Sequence, residues 1–330
     1  MAATRWYGQG AHGDSAKGAK LGHTMRPLRP ARLRLPAFLA ASGLAALGTL
    51  GVSGCGSGPA APRAGGGAGA ARSAAPVMVA ASVYPLAQLV SYIGGKWVHV
   101  VDLAAAGAQP QDLRLGVAQK AELHQAKLVI EVGDGYQPEI EAAARLGPHL
   151  AVLPRISRQA EPYEFWLDPY LMADAAPLIA AALVAADPAG KAQFDDGSRD
   201  FEAVAASIES DFESTFTQCQ DTYFVTADDA FGRMAAAFDL VDVPLNSDGV
   251  TTAIATIAQR KLTAVFSETG VPSELVALVA TRAGVGVKNL DPMEIAPGPG
   301  SPQLSYFSTM EEDLTTMEGP MACDVSGSFS

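Results

Sequence analysis

The sequence contains few histidines, few cysteines and few basic residues. Its 330 residues include 5 His, 3 Cys and 23 Lys plus Arg against 35 Asp plus Glu, which gives a net charge of −12. Seven of the basic residues and only one acid lie in residues 1–55, so the remaining chain has a net charge of −18. A body this acidic argues against binding to nucleic acid or to an anionic membrane surface.

Sequence motifs typical of enzymes are also missing. We find no nucleophile elbow, no His-based dyad at a meaningful spacing and no phosphate-binding loop. The GGGAGA run near residue 65 follows no predicted strand and precedes no predicted helix, as a nucleotide loop would. These absences argue against catalysis. The 48% hydrophobic content predicts a folded body, and the length allows two or three domains.

The first 55 residues have the pattern of an export signal. Four arginines between Met25 and Leu35 precede a nearly uncharged run over 35–54. The run ends in Val52-Ser53-Gly54-Cys55, which resembles the lipobox of bacterial lipoproteins. We therefore predict a leader over 1–55 with its true start at Met25, lipidation of Cys55 and an extracytoplasmic protein anchored to the cell membrane. A transmembrane anchor is the alternative, since about 17–25 apolar residues can span a bilayer.

Downstream of the leader, the pattern predicts two α/β lobes. Residues 56–76 are rich in Gly, Ala and Pro and read as a flexible tether. Short apolar runs at 77–82, 99–103 and 128–132 alternate with helical patterns in an N-terminal lobe over 77–186. Phenylalanines at helical spacing predict one long helix within 187–218. Strand patterns then resume in a C-terminal lobe over 219–330. Parallel sheets in two lobes joined by one helix predict a cleft-type binding protein.

An ordered set of short motifs carries a family resemblance. The set resembles the solute-binding lipoproteins of zinc and manganese ABC transporters over residues 77–325. Its pieces are 79–87 (VAASVYPLA), 107–112 (GAQPQD), 165–169 (FWLDP), 224–232 (FVTADDAFG), 265–268 (VFSE) and 290–292 (LDP). The resemblance implies a monomer that binds a metal ion between its lobes and delivers it to a membrane permease driven by an ATPase. The alternative is a degenerate paralogue that acts as a receptor or adhesin-like lipoprotein without metal transport.

The resemblance also implies four metal-ligand positions, two in each lobe: Gln111, Glu164, Asp228 and Asp291. The family normally has histidine at the first two of these positions and often at the third, but none of the five histidines here falls on a ligand position. An all-oxygen set favours Mn²⁺ or another hard cation, whereas the family also includes zinc proteins. Structural roles remain open, because Asp228 could cap a helix and Asp291 could begin a turn.

Further residues near the motifs are expected to support the site. Trp166, Asp168, Asp229 and Glu268 are predicted to orient the ligands or to pack beside them. The two remaining cysteines, Cys219 and Cys323, bracket the C-terminal lobe, as cysteines do in some family members. In an exported protein such a pair is expected to form a disulfide. Two free buried thiols are the alternative.

Overall fold

A four-stranded parallel sheet organises the N-terminal lobe. In this computed structural model its strands are β1 (Val77–Ala81), β2 (Val98–Asp102), β3 (Leu128–Glu131) and β4 (His149–Ala151), in the order β2-β1-β3-β4. Val79 of β1 pairs with Val100 on one side and with Leu128 on the other. Helices cover both faces of such a sheet, so the central strand is apolar throughout, and Val79, Ala80 and Ala81 are fully buried.

The structure describes residues 75–104, 109–159, 163–245, 249–270, 273–297 and 305–323. The predicted leader, the start at Met25, the lipidation site Cys55 and most of the tether lie outside these residues. The lobe boundaries drawn from the sequence remain predictions.

Five helices follow the strands of this lobe. They are α1 (Tyr84–Gly94), α2 (Val117–Gln125), α3 (Pro138–Ala144), α4 (Leu153–Ile156) and α5 (Pro169–Ala186). Asp168 begins α5 by accepting the backbone N–H groups of Tyr170 and Leu171, and Pro169 occupies the first helical position. Among the described residues, α5 is the one helix long and apolar enough to cross a membrane. Buried residues including Met172, Ile179 and Leu183 place it in the core cluster instead.

The long helix predicted between the lobes is present as α6 (Lys191–Phe216), with 26 residues. Its buried residues include Phe194, Phe201, Ile208 and Phe212, a spacing that keeps them on one face. Gly197 lets α6 approach α1 closely, because a Cβ at this position would lie 2.5 Å from the carbonyl oxygen of Ile93. The helix therefore packs closely on α1 at Gly197, and near its C-terminal end Phe212 and Phe216 pack on Phe238 of the C-terminal lobe.

The C-terminal lobe consists of two pairs of parallel strands and four helices. In chain order these are β5 (Tyr223–Thr226), α7 (Gly232–Ala237), β6 (Val241–Pro244), α8 (Val250–Arg260), β7 (Ala264–Glu268), α9 (Glu274–Ala283), β8 (Gly286–Leu290) and α10 (Tyr306–Glu318). β5 pairs with β6, and β7 pairs with β8. The sequence patterns did not predict β4 or β6, which have only three and four residues.

One hydrophobic cluster joins the two lobes. It contains Phe165 and Trp166, the phenylalanines of α6, and Phe224, Phe266 and Met310 from the C-terminal lobe. A disulfide links Cys219, just after α6, to Cys323, just after α10. These observations confirm the predicted α/β class, with parallel sheets and a long connecting helix.

Candidate metal centre

Acidic side chains gather where the parallel strands end. Glu268 is the last residue of β7, Asp228 and Asp229 follow β5, and Glu294 follows β8. Glu164 joins them from the N-terminal lobe, just before a short 3₁₀ turn. Ligands of open α/β folds bind outside the carboxyl ends of the strands, so this is the expected place for a site. We call Glu164, Asp228, Asp229, Glu268 and Glu294 the acidic cluster.

Hydrogen bonds connect members of the acidic cluster to one another and to Gln111 at its rim. The backbone N–H of Asp228 donates to Glu268 Oε1 at 3.0 Å. Gln111 of the N-terminal lobe donates from Nε2 to Glu294 Oε1 at 3.3 Å, across 183 residues of sequence. Glu164, Glu268 and Glu294 are buried, whereas Gln111 is exposed. The acidic cluster is therefore enclosed by both lobes and reaches solvent beside Gln111.

Burial and mutual repulsion favour the protonated forms of these acids. Burial, followed by the charges of Glu294, Asp229 and Asp228, raises the pKa of Glu164 to about 8. Burial and the charge of Asp228 raise the pKa of Glu294 to about 7, against the opposing hydrogen bond from Gln111. Burial, with the charge of Asp228 next, also raises the pKa of Glu268. Carboxylates with such pKa values lack sufficient compensating positive charge.

Two buried polar atoms at the acidic cluster lack hydrogen-bond partners within the described ranges. Glu268 is 2% exposed and its Oε2 accepts no hydrogen bond from these residues. Tyr136 is 4% exposed and its hydroxyl is likewise without a partner there. A buried polar atom without a partner costs free energy unless a ligand completes it. Both atoms therefore point to a ligand of this site.

A buried arginine lies at one side of the acidic cluster. Arg233, on α7, is 5% exposed, and its Nη2 donates to the carbonyl oxygen of Gln159 at 3.2 Å. Burial lowers the pKa of Arg233, and the charges of Asp168 and Glu164 raise it. Arg233 thus connects the C-terminal lobe to the N-terminal loop that leads to Glu164. Arg233 could not be identified from the sequence, because one arginine near the start of a helix forms no recognisable motif.

Hydrogen bonds tie Asp291 to its own loop and to α10. Its Oδ1 accepts the backbone N–H of Met293 at 2.8 Å, and its own N–H donates to Asp313 Oδ1 at 2.9 Å. Burial and the charge of Glu312 raise the pKa of Asp291, with no contribution from the acidic cluster. Asp291 therefore has the turn-forming role that the sequence left open. Glu294, three residues later, lies beside Gln111 instead.

The residues predicted to support the ligands take different roles. Trp166 is fully buried, and its Nε1 donates to the carbonyl oxygen of Pro292 at 2.8 Å, which holds the Asp291 turn against the N-terminal lobe. Asp168 caps α5. Asp229 and Glu268 belong to the acidic cluster itself. Within the described residues, no three His, Cys, Asp or Glu side chains converge closely enough to hold a metal ion as they stand.

Asp102 is not a member of the acidic cluster, and the effect of burial on its pKa can be tested through the stability of the protein. Burial raises its pKa to about 6, against the hydrogen bond from the Ala104 N–H. Because the folded-state pKa is raised, Asp102 contributes stability below its unfolded pKa of about 4, and this is lost as pH rises through about 6. Asp102→Asn imitates the neutral form. We subtract the free energy of unfolding of wild type from that of Asp102→Asn. This difference should increase by about 1–3 kcal/mol between pH 4 and pH 8.

Urea denaturation of metal-free wild type and Asp102→Asn across this pH range measures the difference. A difference that did not change with pH would contradict the raised pKa.

Comparison with known proteins identifies a family model and a relative that match most of the chain. The sequence model of the periplasmic zinc-uptake complex component A, ZnuA, matches residues 79–319. A putative metal-binding protein of Treponema pallidum (strain Nichols) is 24% identical over 266 residues, which cover 69% of this chain and 82% of the relative.

Two solved structures share the fold. A zinc-bound deletion mutant of ZnuA superposes with a TM-score of 0.68 at 21% identity, covering 76% of this chain and 99% of that one. The laminin-binding protein Lbp of Streptococcus pyogenes gives a TM-score of 0.67 at 18% identity, covering 74% and 99%.

Proposed function

The chain belongs to the family of the periplasmic zinc-uptake complex component A, and from this membership we propose that it captures a divalent metal ion at the acidic cluster. Proteins of this family are solute-binding components of ABC metal uptake systems rather than enzymes. The metal is the cargo. We further propose that the protein delivers it to a membrane permease that works with a cytoplasmic ATPase.

The charge of the acidic cluster is the observation that supports this proposal most strongly. Glu164 from the N-terminal lobe and Asp228 and Glu294 from the C-terminal lobe act on one another, and two of the three are buried. A divalent cation between them would convert repulsion into attraction, and in a buried site that change is larger than in water. It would also give the unpartnered Oε2 of Glu268 a partner.

The proposed ligands come from both lobes. They are Gln111, Glu164 and Asp228, at positions that match the family motif, with Glu268 and Glu294 completing the set in place of Asp291. All of their donor atoms are oxygens, which suits Mn²⁺, Mg²⁺ or Ca²⁺ better than zinc. The side chains do not converge as they stand, so we propose that the glutamates change rotamer when the metal enters.

The site of action follows from the leader and from the charge of the body. We propose that the protein works outside the cytoplasm as a monomer, held at the membrane by a lipid on Cys55. The body's net charge of −18 would attract cations and disfavour nucleic acid as a partner. These proposals are independent of which metal is carried.

Metal content and calorimetry test the proposed capture. Protein purified without chelator is analysed for bound metal by mass spectrometry, then stripped and titrated with Mn²⁺, Zn²⁺ and Ca²⁺. We expect binding of Mn²⁺ and Zn²⁺ with affinities within about tenfold of each other, because oxygen donors give zinc little of the advantage that nitrogen and sulfur give. Failure of all three metals to bind more tightly than millimolar would overturn the proposal. A far stronger preference for Zn²⁺ would overturn only the hard-cation assignment.

A further inference from the structure

Tyr136 lies in the turn that follows β3 and packs on the aromatic residues that flank Glu164 in sequence. Its backbone N–H donates to the carbonyl oxygen of Gly133 at 3.3 Å. Its ring packs on Tyr163 and Trp166, with ring centroids 5.1 Å and 6.1 Å away. Packing on two aromatic rings holds the side chain in one place, so the hydroxyl has a defined position at the site.

The hydroxyl of Tyr136 is buried, polar and without a hydrogen-bond partner among the described residues. Burial raises the pKa of Tyr136, and the charges of Glu294 and Glu164 raise it further, so these two carboxyl groups are its electrostatic neighbours. The hydroxyl therefore stays neutral and remains able to donate a hydrogen bond. Tyr306 differs from Tyr136 in this respect. Its buried hydroxyl has a partner and donates to the carbonyl oxygen of Trp166 at 2.8 Å.

We propose that the Tyr136 hydroxyl donates a hydrogen bond to the carboxylate of Glu164 or Glu294 once that carboxylate binds the metal, and so acts as a positioning residue for the ligands. This inference rests on the proposed function. A hydrogen bond to an ionised carboxylate is stronger than one between neutral groups, and donors of this kind orient metal ligands. Under this proposal, the rotamer change that accompanies metal entry would bring a carboxylate oxygen to the Tyr136 hydroxyl.

The proposal predicts that one substitution weakens metal binding without lowering the melting temperature of the metal-free protein. Tyr136→Phe removes the hydroxyl and keeps the ring. We expect it to weaken Mn²⁺ binding about 10- to 100-fold, the usual effect of removing a group that orients a metal ligand. We expect the metal-free variant to melt no lower than wild type, because the hydroxyl has no described partner to lose. A purely structural tyrosine would lower the melting temperature instead.

Tyr306→Phe is the matched control, because it deletes a buried hydroxyl that does have a partner. It should lower the melting temperature of the metal-free protein. Calorimetry with Mn²⁺ and thermal unfolding of metal-free protein are measured on wild type and both variants. Unchanged Mn²⁺ affinity in Tyr136→Phe overturns the inference, and so does a lower melting temperature of that variant without metal. If wild type itself binds no metal, the proposed function fails first, and the inference falls with it.

Discussion

Glu294→Gln will weaken Mn²⁺ binding by about 100-fold or more, whereas Asp291→Asn will leave it within about threefold of wild type. Removing the negative charge of a direct ligand should weaken binding more than the 10- to 100-fold effect of losing a group that only orients one. The two acids are three residues apart in one loop. Comparing the two variants therefore tests whether Asp291 or Glu294 binds the metal. Glutamine keeps the size of Glu294 and one oxygen donor, and the change removes mainly its charge.

The structural reason lies in the hydrogen bonds of the loop. Asp291 uses its Oδ1 to accept the N–H of Met293, and Trp166 donates to the carbonyl oxygen of Pro292, so the Asp291 side chain is already engaged in the turn. Glu294 is 2% exposed, accepts from Gln111 and interacts with Asp228. Burial, followed by the charge of Asp228, raises the pKa of Glu294 to about 7, so its charged form is unfavourable unless a cation lies beside it.

Calorimetry at pH 8 compares the two variants with wild type, and circular dichroism verifies that each is folded. Asn at position 291 retains an oxygen that can accept the Met293 N–H, so the turn is preserved in the control. The opposite ranking, with Asp291→Asn more damaging than Glu294→Gln, would show that the family's ligand position is retained and that the loop rearranges around the metal.

Breaking the Cys219–Cys323 bond will lower the free energy of unfolding by about 3–5 kcal/mol. The two cysteines are 104 residues apart, so the bond closes a loop that contains the whole C-terminal lobe. In the chain-entropy description, a loop of about 100 residues is stabilised by about 4.7 kcal/mol through restriction of the unfolded chain. The bond also fastens the end of α10 to the end of α6.

Urea denaturation of oxidised protein, of reduced protein and of a Cys219→Ala/Cys323→Ala variant measures this contribution. Reduced protein and the double variant should both unfold at lower urea than oxidised wild type. Cys55→Ala is the control, since it replaces the remaining cysteine and leaves the Cys219–Cys323 bond in place. Equal urea midpoints for oxidised and reduced wild type would contradict the prediction.

Much of the fold was predictable because it depends on local periodicity. The phenylalanines of α6 recur at helical spacing, which predicted the long helix without any knowledge of its partners. Apolar runs of four or five residues predicted β1, β3, β5 and β7. The strands β4 and β6 were missed because three or four residues are too few to show alternation, and pairing with a neighbouring strand stabilises them.

The acidic cluster was predictable only in part. Gln111, Glu164 and Asp228 were identified from motif positions, and Glu268 and Asp229 were placed nearby. Tyr136, Arg233 and Glu294 were missed, since each gains its significance from neighbours that are distant in sequence. Gln111 and Glu294 are 183 residues apart, and no short-range pattern records their contact.

The sequence by itself determined the alternation of strands and helices, the family and the all-oxygen character of the candidate ligands, because these follow from residue types and their spacing. Only the tertiary structure decided that, in the 290–294 loop, Glu294 contacts Gln111 while Asp291 binds within its own turn. This arrangement depends on a turn whose backbone N–H groups and carbonyl oxygens are bound by Asp291, Asp313 and Trp166. Side-chain direction in a loop is set by such contacts across the fold, and spacing along the chain does not record them.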